Sequence, residues 1–256
     1  MTDSDLDAAV VRGPFTGLRV LELGRFIAAP YCGQLLADGG ADVIKVEALI
    51  GDETRRNGAI LPTEGRQFLN KNRGKRSLAI NLGDEAALAV VRKLALRADV
   101  LIANFRPGDA ARLGLDYPSL SAQNPRLIYA ENSAYGPQGP MASATGMDMV
   151  IQAYSGIATP TKDGPIPHES PIIDYAAALL LAWGVSTALY HRERTGAGQR
   201  LDVSLLQAAL VLQNNSINHI DITEDWEGEL VDYLKHAFAD GLSWADVLEH
   251  RRAPQP

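Results

Sequence analysis

The chain has 256 residues, of which 46% are hydrophobic, and a formal net charge of −7, which suits one large domain or one domain with an appendage. The acidic balance and the lack of a long basic run make a nucleic acid or an anionic membrane a poor partner. The single cysteine, Cys32, excludes an intrachain disulfide and a CxxC metal site and fits a reducing cytoplasm.

The chain begins with an acidic segment where a signal peptide would be basic, so we expect a cytoplasmic protein with a disordered tail over 1–14. Short apolar strands then alternate with helices. In chain order, we predict strands over 18–23, 41–47, 78–82, 99–104 and 126–130, a helix that opens at Ala28 and ends at Gly39 and Gly40, and a helix over 84–97 with an acidic cap.

This order and spacing predict an α/β fold: an open, mostly parallel Rossmann-like sheet covered by helices, which we assign to residues 15–213. In such a sheet the loops that follow the strands gather at the carboxyl edge, where these folds bind ligands.

Two of these loops contain groups that suit a nucleotide. The loop over 70–77 holds four cations, and it is either a solvated basic loop or a phosphate site. These cations are Lys71, Arg73, Lys75 and Arg76. Asn104, Phe105 and Arg106 directly follow a predicted strand, and with Arg112 they suit an adenine ring and its phosphates. The dinucleotide fingerprint GxGxxG and the Walker A, HExxH and GxSxG motifs are absent, so the usual nucleotide-binding, metalloprotease and hydrolase classes have little support.

The stretch over 170–184 has one acid, Asp174, at the start of an apolar run that continues to about Arg194. Because apolar residues cover every face of this run, it predicts a mostly buried helix. Charged residues over 191–194 close the run, and we predict no membrane span. Asp174 is either a helix N-cap, which its position alone favours, or a nucleophilic carboxylate that the helix dipole keeps ionised.

Several short segments occur in unbroken order over 15–212, and their sequences match those of a known protein family. They are 17–23, 29–47, 51–55, 72–77, 98–108, 113–117, 124–129, 135–140, 146–148, 193–199 and 202–206. Together they resemble family III coenzyme A transferases of the CaiB/BaiF type. That family includes formyl-CoA:oxalate and carnitine CoA-transferases and the α-methylacyl-CoA racemases.

The resemblance implies that Asp174 attacks an acyl-CoA thioester and becomes first a mixed anhydride and then an aspartyl-CoA thioester. It implies coenzyme A as a substrate, with no permanently bound cofactor and no metal. It also places CoA along Ile27, Ala28, Ile80, Asn81, Asn104, Phe105, Arg106, Arg112, Ser133, Tyr135 and Gly136. The apolar residues would bind through their backbone, although Ile27 and Ile80 could be core residues and Arg112 part of a surface pair.

The chain departs from the family at one motif residue. Met147 stands where the racemases have an acid/base histidine, and a thioether cannot move a proton at the α-carbon. We interpret His168 as a loop residue. The other histidines, His191, His219, His236 and His250, have no ligand spacing, and we expect them at the surface.

The second departure is length, because family members are usually much longer. The resemblance ends near Asn214, and we predict that residues 214–256 form a helical tail, with an amphipathic helix over 226–238 and a shorter one over 243–250. We therefore expect the family's small domain and its glycine-rich active-site loop to be absent, so that a second polypeptide supplies them or the site stays open.

Three functions remain open. The chain is a CoA-transferase subunit that acts on an acyl-CoA and a carboxylic acid in a homo- or hetero-oligomer with a same-family chain; or it is a non-catalytic partner of an active paralogue; or it is an acyl-CoA racemase, which Met147 argues against.

Overall fold

The computed structural model describes residues 13–61 and 64–214, with the single positions 232, 236, 239 and 240. The chain divides into two units, Met1–Asn214 and Asn215–Pro256, and every predicted site residue lies in the first. Residues 1–12 of the predicted tail lie outside the described residues. The helices predicted over 226–238 and 243–250 also lie outside them, apart from Asp232 and His236.

The first unit is built on an open sheet of six strands. The described residues form eight strands, of which six belong to this sheet. In chain order the eight are β1 (Arg19–Leu23), β2 (Asp42–Glu47), β3 (Ala59–Leu61), β4 (Glu64–Gly65), β5 (Arg76–Ala79), β6 (Val100–Ala103), β7 (Ile128–Ser133) and β8 (Gln199–Ser204). The sheet has the order β5-β2-β1-β6-β7-β8, and each neighbouring pair is parallel. Strands β3 and β4 form a separate antiparallel pair. The predicted parallel sheet is confirmed.

Helices cover both faces of this sheet. They are α1 (Ala28–Asp38), α2 (Arg66–Asn72), α3 (Glu85–Arg97), α4 (Asp109–Arg112), α5 (Tyr117–Ser121), α6 (Asp148–Ser155), α7 (Ile172–Thr195) and α8 (Leu205–Leu212). Alternate residues of β6 enter different cores: Val100 and Ile102 pack with α1, α7 and α8, whereas Leu101 and Ala103 pack with α3. Strands buried on both faces are typical of parallel sheets with helical connections.

Two predicted strands are shifted along the chain. The strand predicted over 126–130 is β7, which begins at Ile128 and ends at Ser133, and the other is β5. The prediction was 78–82, but β5 begins at Arg76 and ends at Ala79. Strand β5 lies at an edge of the sheet, where its backbone pairs with β2 from Arg76 onward and its side chains are mostly exposed. An edge strand needs no apolar run, and so the apolar pattern misled the prediction. The predicted acidic cap of α3 is confirmed, since Asp84 Oδ1 accepts a hydrogen bond of 2.8 Å from the Ala87 N–H.

Helix α7 is buried on one face only. Its buried residues are Ile173, Ala177, Ala178, Leu181, Val185, Ala188 and Arg192. Leu179, Trp183 and Tyr190 are 54%, 70% and 65% exposed, so the prediction of a mostly buried helix is wrong for this face. By length and composition alone α7 could cross a membrane. It nevertheless packs against α1, α8, β7 and β8, as the core helix of a globular fold does.

A buried cluster of charges joins the carboxyl ends of β1 and β2 to the start of α1. Glu22 binds the ammonium groups of Lys45 and Lys75 at 2.9 and 2.6 Å, and Asp52 lies 3.1 Å from Lys45. Each of these four side chains is 2% exposed or less. Burial alone would lower the pKa of Lys45, but Glu22 and Asp52 outweigh it and raise that pKa above its usual value.

The cations of this cluster also bind the backbone. Lys45 donates to the Gly24 carbonyl at 2.6 Å, and Lys75 donates to the Pro30 carbonyl at 2.6 Å. Glycine is required at Gly33, because a Cβ there would clash with the Glu22 carboxylate. The cluster therefore fixes the strand ends and the first turn of α1 as one body.

We predict that Glu22→Gln destabilises the protein by about 3–5 kcal/mol, because it leaves the buried Lys75 ammonium without a counter-charge and leaves Lys45 with Asp52 alone. The matched control is Asp38→Asn, which breaks the exposed pair with Arg73 and should cost about 0–1 kcal/mol. Urea unfolding of both variants measures the difference. Equal unfolding midpoints for the two variants would show that the buried cluster contributes no more than a surface pair.

Candidate active site

The loops after β1 and β6 meet at the point where the strand order reverses. The Asn104 side chain joins them: its Oδ1 accepts from the Arg25 N–H at 2.9 Å, and its Nδ2 donates to the Arg25 carbonyl at 2.8 Å. The next residue, Phe26, is the one non-glycine residue in the described part of the chain with a positive φ, +65°. Such a conformation is retained when its surroundings impose it, and it is common at ligand sites. The crevice of a doubly wound sheet lies at this reversal.

The turn at Phe26 leads directly into α1. Ile27 occupies the N-cap position, and no side chain caps this helix. The first N–H groups of a helix lack intrahelical partners and carry partial positive charge, so an uncapped helix start attracts anions. Ile27 and Ala28 are thus well placed to bind an anionic group through their backbone.

The predicted CoA-binding residues all follow strands on this carboxyl edge. They comprise Ile27 and Ala28 after β1, Ile80 and Asn81 after β5, Asn104, Phe105 and Arg106 after β6, Arg112 on α4, and Ser133, Tyr135 and Gly136 at and after the end of β7. The structure therefore gathers these loops at one edge of the sheet, and their role in CoA binding stays a prediction.

Several of these side chains shape the loops themselves. Asn81 Oδ1 accepts from the Gly83 N–H at 3.0 Å, and Ser133 Oγ accepts from the Gly136 N–H at 3.0 Å. Arg112 forms an ion pair with Asp109 at 2.8 Å, which agrees with the alternative that Arg112 belongs to a surface pair. Ile80 packs partly against the core. These residues would offer a ligand mainly their backbone.

The four cations over 70–77 do not form an exposed cluster. Arg73 and Arg76 are at the surface, paired with Asp38 and Asp42 at 2.6 Å each, whereas Lys71 and the side chain of Lys75 are buried. Neither sequence interpretation, a solvated basic loop or a free phosphate site, describes this arrangement. Carboxylates distant in sequence pair with most of these cations and so determine where each side chain lies. The sequence of the loop does not reveal these partners.

Asp174 is the third residue of α7 and lies inside its first turn. The N-cap position belongs to Pro171, and no side chain of that residue caps the helix. The carboxylate of Asp148 performs this role instead, since its Oδ2 accepts from the backbone N–H of Asp174 at 2.8 Å. The interpretation of Asp174 as the cap is therefore wrong, because it lies too far inside the helix and its own N–H needs a partner.

Asp148 is a functional residue that the sequence interpretation missed. It is buried at the start of α6 and also accepts a hydrogen bond from Gln152 one turn later. Gln152 in turn accepts from the His168 N–H at 2.7 Å. This pair holds the loop that leads into α7. The spacing of Asp148 and Gln152, four residues apart and so on one face of a helix, was the available signal.

The Asp174 carboxyl has an unusual electrostatic environment. It is partly buried, and no described residue donates a hydrogen bond to it or forms an ion pair with it. Burial raises its pKa to about 7, Asp148 contributes to the increase, and Lys71 opposes it. Near neutral pH the group is therefore poised between the acid and the carboxylate.

Three helices meet at Tyr175, the residue after Asp174 on α7. The ring of Tyr175 contacts Tyr31 of α1 edge to face, with centroids 5.0 Å apart. Lys71, at the end of α2, lies with its ammonium 5.8 Å from the Tyr175 ring centroid. Helices α1 and α2 thus pack beside the start of α7 that carries Asp174.

Among the described residues, no histidine forms a hydrogen bond or an ion pair with the Asp174 carboxyl. Met147 is exposed before α6, and His168 is an exposed loop residue, as predicted. The predictions of surface positions for His191 and His236 are confirmed, while His219 and His250 lie outside the described residues. In the described ranges, no group of His, Cys, Asp and Glu side chains could hold a metal ion.

Two cavities lie away from Asp174. One, of about 310 Å³, is lined by α2, the charged loop after it and β2, and its cations are the ion-paired ones described above. The other, of about 370 Å³, is lined by residues near Phe15, Asp99 and Arg192 at the amino edge of the sheet. Arg73, Lys75 and Arg76 of the charged loop line the first cavity, but neither Asp174 nor any predicted CoA-binding residue lines either cavity. The candidate site is therefore the open crevice at the carboxyl edge.

Comparisons with known proteins agree with this geometry. Residues 15–232 match the model of the family described as CoA-transferase family III. The chain is 39% identical over 211 residues to the acetyl-CoA:oxalate CoA-transferase of Acetobacter aceti, covering 80% of this chain and 54% of that protein. It is 37% identical over 202 residues to the succinyl-CoA–L-malate CoA-transferase alpha subunit of Chloroflexus aurantiacus, covering 76% and 47%.

A solved structure gives the same result for the fold. The crystal structure of a CAIB/BAIF family protein from Brucella suis superimposes with a TM-score of 0.75 at 38% identity, covering 80% of this chain and 56% of that one. The chain spans about half the length of the relatives it matches.

We predict that Asp174→Asn is more stable than the wild type at pH 8 and that this gap closes toward pH 4. A carboxyl whose pKa is raised from 3.8 to about 7 on folding binds its proton more tightly in the folded state. Its ionisation therefore removes stability as the pH rises through this window, by at most about 4 kcal/mol. Thermal or urea unfolding from pH 4 to 8 measures the gap.

The matched control is Asp163→Asn, at an exposed loop position, for which we expect a small gap that does not change with pH. A gap for Asp174→Asn that is constant across the range would mean that the folded protein does not raise the pKa of this carboxyl.

Proposed function

The chain belongs to CoA-transferase family III, as its sequence resemblance predicted, and we propose that it moves coenzyme A from an acyl-CoA to a free carboxylic acid through a covalent intermediate on Asp174. The observation that carries this proposal is the Asp174 carboxyl group, which is partly buried, has no ion-pair partner among the described residues and has a pKa near 7. A carboxylate deprived of solvent and of hydrogen bonds is a better nucleophile than a solvated one.

In the first half of the reaction, a carboxylate oxygen of Asp174 attacks the thioester carbonyl. The carbon–sulfur bond breaks, which gives a mixed anhydride and the CoA thiolate. The thiolate then attacks the Asp174 carbonyl of the anhydride, the carbon–oxygen bond breaks, and the donor acid leaves as a carboxylate. Asp174 is now an aspartyl-CoA thioester. Covalent capture divides one difficult exchange into easier steps.

The second half reverses these steps with another acid. The acceptor carboxylate attacks the aspartyl-CoA carbonyl, and the thiolate leaves and attacks the acceptor's side of the new anhydride. This yields the new acyl-CoA and restores the Asp174 carboxylate. No net proton is transferred, which agrees with a site where Met147 replaces an acid/base histidine.

The loops of the carboxyl edge suit the long CoA ligand. We propose that its phosphates approach the uncapped start of α1 and Arg106, which follows β6, and that its adenine lies near Phe105. An uncapped helix start and a guanidinium favour phosphate, and an aromatic face favours a purine ring.

We further propose that the chain works with a second chain of its family, identical or different. Three helices expose large apolar side chains on the surface of the first unit. They are Met149, Val150 and Tyr154 on α6, Leu179, Trp183 and Tyr190 on α7, and Leu210, Val211 and Leu212 on α8. Exposed apolar area of this kind often marks an interaction surface. One relative is named as an alpha subunit, and a beta subunit of the same enzyme also matches, at 38% identity.

We predict that incubation with acetyl-CoA or succinyl-CoA adds an acyl or CoA group to the wild type and that hydroxylamine removes it, as expected for an anhydride or thioester. Asp174→Ala should show no adduct, and the exposed-site variant Asp163→Asn should label like the wild type. Because only the carboxylate attacks, the labelling rate should rise as the pH passes 7. Intact-protein mass spectrometry measures each adduct.

An adduct that forms only when a co-purified second chain is present would favour a site shared between subunits. No adduct in either case would contradict the covalent mechanism and favour a non-catalytic partner subunit.

A further inference from the structure

Lys71 differs from the other buried lysines of this chain. It is 3% exposed at the end of α2, and its ammonium donates to the Gln67 carbonyl at 3.1 Å. Lys45 and Lys75 each form ion pairs with buried carboxylates at 2.6–3.1 Å. Among the described residues, Lys71 forms no ion pair with a carboxylate. A buried ammonium without a direct counter-ion is costly and is found where a ligand or a function requires it.

The surroundings of Lys71 point toward the reacting carboxyl. Its ammonium lies 5.8 Å from the ring centroid of Tyr175, next in the chain to Asp174. Burial lowers the pKa of Lys71, while Asp174 and Asp52 oppose the decrease. Asp174 for its part has no direct partner for its carboxylate. The buried ammonium of Lys71 and the partly buried carboxylate form of Asp174 thus attract each other without forming an ion pair.

We propose that Lys71 is the carboxylate-binding residue of this site and that it holds the free acid which leaves or approaches Asp174. The proposal rests on the transfer function proposed above and adds to it a subsite for a small carboxylic acid. The ammonium donates charge-assisted hydrogen bonds to the acid, which are stronger than those between neutral groups.

The charges of the reaction favour such a residue. At each stage the site contains one anion: first the Asp174 carboxylate, then the CoA thiolate, then the free acid. When Asp174 is esterified it loses its charge, and Lys71 is left in the interior without the anion that stabilised it. The incoming acceptor carboxylate restores neutrality, so this stage binds the acid most tightly.

Asp174→Asn reproduces the neutral stage in a stable form, and it allows the subsite to be tested without turnover. We expect this variant to bind succinate more tightly than the wild type, whose Asp174 carboxylate repels it. Adding Lys71→Met should weaken succinate binding by about tenfold or more, and Lys71→Arg should retain most of it. Isothermal titration calorimetry with succinate, acetate and oxalate measures these constants.

The control is Lys93→Met in the same background, because Lys93 is exposed on α3; its binding constant should not change. Circular dichroism and thermal unfolding establish that each variant is folded, and partial rescue by Lys71→Arg separates loss of charge from loss of packing. The proposal is overturned if Asp174→Asn binds none of the three acids, or if Lys71→Met leaves their affinity unchanged.

The pH response gives a second readout. The charged and titratable groups that face Asp174 are Asp148 from α6, Lys71 from α2 and Tyr175 from its own helix, and Asp52 also faces Lys71. Removing a cation favours the neutral acid, so Lys71→Met should move the titration of Asp174 to higher pH in carbon-13 NMR. An unchanged titration would contradict a charge role for Lys71.

These measurements separate the two proposals. Acid binding that depends on Lys71 in a protein that acyl-CoA never labels would support the subsite and contradict the transfer function. Labelling of the wild type by acyl-CoA, together with acid binding that does not depend on Lys71, would support the transfer function and contradict the subsite.

Discussion

Burial of four charges beneath the start of α1 determines the geometry of the whole carboxyl edge. Glu22 is the centre of this cluster, because its two oxygens hold Lys45 and Lys75. Lys75 then binds the carbonyl of Pro30 and the side chain of Asn72, the last residue of α2. The strand ends, the uncapped helix and the segment that ends in Lys71 are thereby fixed relative to one another. A site assembled from several loops gains its rigidity from such interior bonds rather than from the loops themselves.

The start of α7 shows how the fold raises the pKa of a carboxyl at the expense of stability. Asp148 satisfies the backbone N–H of Asp174 and, by the same proximity, opposes ionisation of its side chain. A neutral Asn at position 148 would still accept the hydrogen bond but would repel less. The negative charge on Asp148 is therefore more than a helix cap requires, and it adds to the effect of burial, which is the larger cause of the raised pKa of the Asp174 carboxyl.

The sequence predicted the parallel sheet well, because strands buried on both faces leave continuous apolar runs such as Val100–Ala103. It misplaced β5, whose edge position removes that signal, and it misjudged the exposed face of α7. In the site, the hypothesis of a nucleophilic Asp174 came from the family resemblance, whereas its position alone favoured a cap. The role of Asp148 depends on a hydrogen bond to a residue 26 positions away. Lys75 forms an ion pair and Lys71 does not, and this difference depends on residues from other elements. No local pattern contains that information.

The two outer strands of the described sheet carry charged side chains that form ion pairs. Arg76 on β5 pairs with Asp42 of the neighbouring strand, and Arg200 on β8 pairs with Asp202 and Glu131. Ionised side chains along an outer strand oppose the addition of a further strand from another molecule. Assembly by continuing the sheet from one chain to the next is thus disfavoured at both ends. The helices, whose exposed apolar side chains include Trp183 and Tyr190 on α7, are then the surfaces left for association.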